Sequence, residues 1–274
     1  MPLTITSRSN PRYRGWVQLR SRRARKRSGE FLIDGARDTL RAIQSGIAPH
    51  EVLCSADCDW EAVSSESEFG QVIAWARAND ALILIAASLF PAVCYGQRDS
   101  QVVSVASVAS GDSLASLSVP QNPLIVILDG IEKPGNVGAI YRTADAVGAD
   151  AVILTGTTTD RFNPNAIRAS VGTVLALPTA IGDHATVAHW LAERSIRVAL
   201  ARVDGERSYW DLPLTEAIAI VFGNEAEGLG SQWERAPHEA FQIPMAGIAD
   251  SLNVSVSAAV VLFEARRQRS IDGV

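Results

Sequence analysis

Ala217-Ile218-Ala219-Ile220-Val221-Phe222-Gly223-Asn224-Glu225-Ala226-Glu227-Gly228-Leu229-Gly230 is the stretch from which the fold of this chain can be read. Its first six residues are continuously apolar, the pattern of a strand covered on both faces in a parallel sheet. Gly223 ends the run. Gly223, Gly228 and Gly230 let the backbone turn tightly and approach a ligand, and Asn224 and Glu225 put polar side chains at the strand's carboxyl end, where open α/β sheets bind ligands. Taken alone, Gly-Asn-Glu is equally an ordinary strand-to-helix turn.

Downstream lies a second loop, Ile243-Pro244-Met245-Ala246-Gly247-Ile248-Ala249-Asp250-Ser251-Leu252-Asn253-Val254-Ser255. Phe241-Gln242-Ile243 reads as a short strand broken by Pro244 and Gly247. Ser251 and Asn253 then open a helix whose core face is expected at Val256, Ala259, Val260 and Phe263. Either polar residue could simply cap that helix. Upstream, Leu124-Ile125-Val126-Ile127-Leu128 reads as another buried strand, and it leads into Asp129-Gly130-Ile131-Glu132-Lys133-Pro134-Gly135-Asn136-Val137-Gly138-Ala139-Ile140-Tyr141-Arg142-Thr143-Ala144. Val137, Ile140, Tyr141, Ala144 and Val147 fall on one face of a helix, which turns Arg142 nearly to the opposite side; a solvated arginine would do the same. Gly135-Asn136-Val137-Gly138 lacks the G-x-G-x-x-G fingerprint, and no acidic ribose partner ends a second strand at the expected distance, which argues against a nicotinamide enzyme.

In this order the three passages resemble the three sequence motifs of the SpoU (TrmH-type) RNA 2'-O-ribose methyltransferase family of the SPOUT class, across roughly the last 150 residues. The resemblance implies an α/β fold, a SPOUT-type sheet with a C-terminal trefoil knot. Periodicity alone shows no knot. It further implies S-adenosyl-L-methionine as cofactor and a homodimer in which the catalytic arginine sits against the partner's cofactor pocket. By the same likeness Arg142, Asn136, Glu225, Ser251 and Asn253 form the catalytic set, and Gly223, Ile243, Met245, Leu252 and Asn253 line the cofactor slot. Asn224 and Asp250 depart mildly from the motifs, and neither removes a catalytic group.

Transfer of a methyl group from a sulfonium starts from an activated donor, so the protein must position a ribose 2'-hydroxyl and take its proton. The resemblance gives this task to Arg142, as a phosphate-coupled base or as an orienting cation. A free arginine is almost always protonated, and both roles stay open.

Length and charge bound the rest. The 274 residues, 47% hydrophobic, suffice for two domains. No apolar run reaches about eighteen residues and no apolar segment follows the N-terminal arginines, so neither a membrane span nor a secretory signal is expected, and the expected compartment is the cytoplasm. Cys54, Cys58 and Cys94 are too few for a disulfide framework and have no second ligand pair, so no metal is expected. His50, His184, His189 and His238 stand outside every motif, which argues against a histidine acid or nucleophile.

Nine basic residues lie between Arg8 and Arg27 with no acid before Glu30; taking those nine from 25 Lys and Arg leaves 16 against 30 acids. A basic segment on an acidic body suggests local phosphate contact, or else a solvated tail. Tyr13 and Trp16 are interleaved there as expected platforms for unstacked bases. The RNA-binding candidates are Arg20, Arg22, Arg23, Arg25, Lys26 and Arg27, with Arg168 from a passage (163–172) that resembles the family's RNA-facing segment. Arg168 reads equally as a helix-surface residue.

Strands are expected at 31–33, 51–54, 81–85 and 101–105, with a helix over 36–45 that turns Leu40 and Ile43 inward and another over 72–79. This order resembles the small L30e-like α/β domain that precedes the catalytic domain in rRNA-directed members. Within the family this opening resembles actinobacterial rRNA 2'-O-methyltransferases associated with antibiotic resistance, of the avilamycin-resistance type. The expected domains are 1–105, the basic segment and RNA substrate-binding domain; 106–122, a Ser-rich linker; and 123–274, the methyltransferase domain. The expected activity is 2'-O-methylation of 23S rRNA. The rivals are a tRNA 2'-O-methyltransferase and a non-catalytic RNA-binding or ribosome-assembly factor; the latter predicts losses at Arg142, Glu225 or Asn253, and all three are present.

Overall fold

The apolar runs pair into two separate sheets, one in each of two units. The computed structural model describes residues 2–60, 62–95, 100–108, 112–156, 160–224, 227–235 and 237–271. The first unit comprises Met1–Ala109 with Asp160–Ala176, and the second comprises Ser110–Thr159 with Leu177–Val274.

In the first unit β1 (Leu3–Ile5) precedes the helices α1 (Pro11–Gln18) and α2 (Arg22–Ser28). There follow β2 (Glu30–Asp34), α3 (Ala36–Gln44), β3 (Glu51–Ser55), α4 (Glu68–Ala78), β4 (Leu82–Ile85) and β5 (Val102–Ser107). The sheet order is β1-β4-β3-β5-β2, with β1, β4 and β3 parallel and β5 antiparallel to both of its neighbours.

The basic segment is two capped helices. Asn10 accepts from the amides of Arg12 and Tyr13 with Pro11 in the first turn, Ser21 accepts from Ala24, and Gly29 stops α2 at φ 71°. Tyr13, Trp16 and Leu19, three residues apart, enter the core beside Leu53, Ile83 and Leu89. This corrects the expectation that Tyr13 and Trp16 are platforms for bases, since they are 6% and 4% exposed. Tyr13 donates to the Leu89 carbonyl at 3.1 Å and the Trp16 indole donates to Glu51. Leu40 and Ile43 are only half-buried; the deeply buried positions of α3 are Asp38, Thr39 and Ala42, with the Thr39 hydroxyl 2.9 Å from that of Ser104 on β5.

The second unit opens with β6 (Leu124–Asp129), α5 (Pro134–Val147) and β7 (Ala151–Thr155). The chain then contributes α6 (Pro164–Ser170) to the first unit, where Phe162 packs its ring 4.5 Å from that of Phe31. Returning, it forms β8 (Thr179–Ile181), α7 (His184–Glu193), β9 (Arg197–Ala201), β10 (Arg207–Ser208), β11 (Ile218–Phe222), β12 (Glu239–Gln242) and α8 (Val254–Ile271). All seven strands are parallel in the order β10-β12-β9-β11-β6-β7-β8. Every residue of β6, β7 and β11 is buried, as their unbroken apolar runs require.

Helix α8 differs from expectation. It packs on α5, and its buried positions are Val254, Ala258, Val261, Leu262 and Ala265. Val256 and Phe263, expected in the core, are 47% and 54% exposed, and Ala259 and Val260 are half-buried. The helix is apolar on two sides, so its periodicity could not choose between them. Its far end is fixed by Arg269, whose guanidinium donates to the carbonyls of Asn122, Pro123, Leu214 and Glu216.

Candidate functional site

Strands β9, β11 and β12 end side by side, and their carboxyl ends open into a cavity of about 750 Å³. Its walls come from the two polar loops of the sequence: Gly228 and Leu229 after β11, and Ile243, Met245, Ser251, Leu252 and Asn253 before α8. Gly223 lies on its floor. A side chain at Gly223 would put its Cβ 2.5 Å from the Gly228 carbonyl oxygen, because the loop doubles back there and Gly228 donates its amide to Asn224 at 2.9 Å. Asn224 in turn donates its side-chain amide to the Gly130 carbonyl at 2.9 Å, which ties this loop to the end of β6. Asn253 accepts from the amide of Ser255 at 2.9 Å and from its hydroxyl at 2.7 Å, so it also caps α8.

The charged lining residues are the acids Asp204, Glu227 and Asp250 and the bases Lys133 and Arg202. Arg202 is held by Asp204 at 2.8 Å and by Glu234 at 2.9 Å, and these hydrogen bonds push its pKa up while that of Asp204 is pulled down. A lining that combines Phe222, Leu229, Phe241, Ile243, Met245 and Leu252 with carboxylates suits a cationic ligand that carries a flat apolar part.

All five residues expected at a cofactor slot, Gly223, Ile243, Met245, Leu252 and Asn253, line this one cavity. Of the catalytic candidates, Ser251 and Asn253 line it too, whereas Asn136 and Arg142 on α5 do not. Arg142 is exposed, on the side of α5 away from the buried row Val137, Ile140, Tyr141 and Ala144. Glu225 lies outside the described residues. Among the described residues no group of three or more His, Cys, Asp or Glu is arranged to hold a metal ion.

Among the expected RNA contacts, Arg22, Arg23, Lys26 and Arg27 are exposed on α2, and Arg168 is exposed on α6 in the first unit. Arg20 donates to the carbonyl of Cys94. Arg25 is a correction. It is 2% exposed, with Nε 2.7 Å from Asp160 Oδ2 and Nη1 donating to the carbonyls of Leu19 and Arg20 at 2.8 and 2.9 Å. Its charge is consumed inside the fold.

Lys133 and Arg202 at the cavity, and the buried carboxylate of Asp129 outside its lining, carried no separate assignment in the sequence. A signal existed for Asp129, an acid closing an otherwise apolar strand.

The SpoU rRNA Methylase family model matches residues 123–263, and the MRM3-like substrate binding domain model matches residues 10–104. A 23S rRNA (uridine(2479)-2'-O)-methyltransferase of Streptomyces viridochromogenes is 30% identical over 272 residues, covering 97% of this chain and 92% of its own. A 23S rRNA (guanosine(2553)-2'-O)-methyltransferase of Bacillus subtilis (strain 168) is 27% identical, covering 96% and 98%. The crystal structure of an AdoMet-bound rRNA methyltransferase from Sinorhizobium meliloti is similar at a TM-score of 0.85 and 27% identity, covering 96% of this chain and 97% of that one.

Proposed function

The chain belongs to the SpoU rRNA methylase family, and from that premise we propose that it is an S-adenosylmethionine-dependent methyltransferase acting on the ribose 2'-hydroxyl of a 23S rRNA nucleotide. The observation that carries this reading is the single cavity lined by both polar loops at the carboxyl ends of three adjacent parallel strands. Likeness over nearly the whole chain to rRNA enzymes, N-terminal unit included, favours rRNA over tRNA.

S-adenosylmethionine, when bound, supplies a methyl group already activated on a sulfonium. Gly223, Ile243, Met245 and Leu252 would hold its apolar part, and the carboxylates of Glu227 and Asp250 suit its positive charge. Ser251 and Asn253 would orient the ribose or the cofactor. Arg142 would take the 2'-hydroxyl proton as a phosphate-coupled base, or, as a cation, orient the ribose and stabilise the negative charge developing on the 2'-oxygen. Because Arg142 does not line the cavity of its own chain, a second copy is the reading that brings the two together. The stripe on α8 made of exposed Val256 and Phe263 with half-buried Ala259 and Val260 is the apolar surface such a homodimer would bury. The cytoplasm is the compartment this reading proposes.

The test is incubation with radiolabelled S-adenosylmethionine and, separately, unmodified 23S rRNA and bulk tRNA, followed by mapping of alkali-resistant dinucleotides. One labelled site in 23S rRNA supports the reading and identifies the nucleotide, for which the Streptomyces and Bacillus relatives differ. Label in tRNA alone keeps the chemistry and overturns the substrate. Absence of label together with absence of cofactor binding overturns the enzyme reading. A rise in the inhibitory concentration of a large-subunit antibiotic on expression in a susceptible host would assign the modification to resistance; full methylation without that rise would assign it to housekeeping.

A further inference from the structure

The end of β6 ties together two segments that the cavity and its neighbouring helix depend on. Asp129, the last residue of β6, is 5% exposed and both of its carboxylate oxygens are engaged. Oδ2 accepts the indole N–H of Trp233 at 2.8 Å, and Oδ1 lies 2.8 Å from Nε2 of His184, the first residue of α7. The next residue, Gly130, accepts through its carbonyl from the side-chain amide of Asn224 at 2.9 Å. Asn224 opens the loop that lines the cavity and Trp233 closes it. Both ends of the 224–233 loop are thus fastened to two consecutive residues, and those two lead into the turn bearing Lys133 and the helix bearing Asn136 and Arg142.

The two donors to this carboxylate also pack against each other. The rings of His184 and Trp233 meet edge to face at 5.7 Å, and the Gln232 amide nitrogen lies 3.2 Å from His184 Nε2. Behind Asp129 stands Gly156, where a Cβ would come 2.7 Å from Oδ1. At Glu234 the 3-10 turn that holds Trp233 is also joined to Arg202 of the cavity at 2.9 Å. None of Asp129, His184 or Trp233 lines the cavity.

We propose that Asp129, His184 and Trp233 are a positioning unit for methyl transfer, holding the 227–233 segment in the arrangement that binds the cofactor. The proposal rests on reading the cavity as the S-adenosylmethionine site. A buried carboxylate deprived of one of two donors is left under-solvated and shifts toward other partners. The loop anchored on it then occupies its binding arrangement for a smaller fraction of the time, and the apparent dissociation constant rises as the inverse of that fraction.

Trp233→Phe removes the N–H and keeps the ring in the core, and His184→Ala acts from the other side, at a side chain 26% exposed. S-adenosylmethionine affinity is measured by calorimetry, and backbone hydrogen exchange is followed on the free full-length protein. In both variants the cofactor dissociation constant should rise about tenfold. The amides of 227–230 should exchange faster while those of β7 and β9 keep their wild-type protection. His184→Gln, which can still donate to Asp129, should restore most of the affinity. Variants that bind as well as wild type with unchanged exchange at 227–230 would overturn the proposal. Faster exchange throughout the second unit would overturn it too, since the cluster would then be ordinary core. Wild type that fails to bind S-adenosylmethionine would overturn the reading of the cavity, and is seen before any variant is made.

Discussion

Arg142 and Gly223 show how differently single residues disclose their roles. Gly223 is needed for a steric reason visible only in three dimensions: the loop folds back so closely that a Cβ would lie 2.5 Å from the Gly228 carbonyl oxygen. Gly223→Ala should therefore cost about 1–3 kcal/mol of stability and abolish S-adenosylmethionine binding, as read by thermal unfolding and calorimetry. Wild-type behaviour in both would show that the close approach does not shape the site. Arg142, exposed and outside its own cavity, should behave in the opposite way. Arg142→Ala should lower kcat by at least about a hundredfold with unchanged cofactor affinity and an unchanged melting temperature. Turnover that survives the substitution would take Arg142 out of the mechanism. Gly223 was legible because a glycine that ends an apolar run marks a place where the chain must turn. Asp129 stood out only as an acid closing an apolar run, and what it holds was not legible, because its partners His184 and Trp233 lie 55 and 104 residues away in the chain.

At the scale of elements, α2 divides its basic residues between surface and core. Neutralising Arg22, Arg23 and Lys26 should weaken binding to an rRNA fragment and lower the slope of log K against log salt by about 0.7–0.9 for each phosphate no longer neutralised. Arg25→Ala should do something else: it leaves Asp160 without its buried partner and should destabilise the protein by about 3 kcal/mol in urea unfolding. A reversal of these two outcomes would mean that the faces of α2 are misassigned. Helix α8 poses the converse case, with apolar residues left outside. Phe263→Glu should yield a monomer in sedimentation and suppress turnover if the stripe from Val256 to Phe263 is a dimer surface; an unchanged assembly and rate would dismiss the second copy. The strands expected from apolar runs all form, whereas the short edge strands β1, β8 and β10 were not read, and α1 and α2 did not read as helices. There the Tyr13, Trp16 and Leu19 row was masked by the charges between them.

Taken whole, the molecule keeps two of its cysteines out of reach. Burial, reinforced by Cys58, pushes the Cys54 thiol up to about 12, and burial with the neighbouring Asp34 does the same for Cys94. A thiol reagent at pH 8 should leave both unmodified in the folded protein and label them on unfolding; rapid labelling of either would contradict its burial. The sequence by itself determined the alternating α/β class, the two sheets and the loops that meet at the cavity, because continuous apolar runs, glycine and proline act locally and leave few conformations open. Tertiary structure alone decided that 160–176 joins the first unit, that Arg25 is buried while Arg142 is exposed, and which face of α8 is covered. It also decided that Asp129 and Gly130 anchor the two ends of the loop from Asn224 to Trp233. Each of these depends on which distant segments meet, and burial and pairing over such separations leave no periodic trace in the residues themselves.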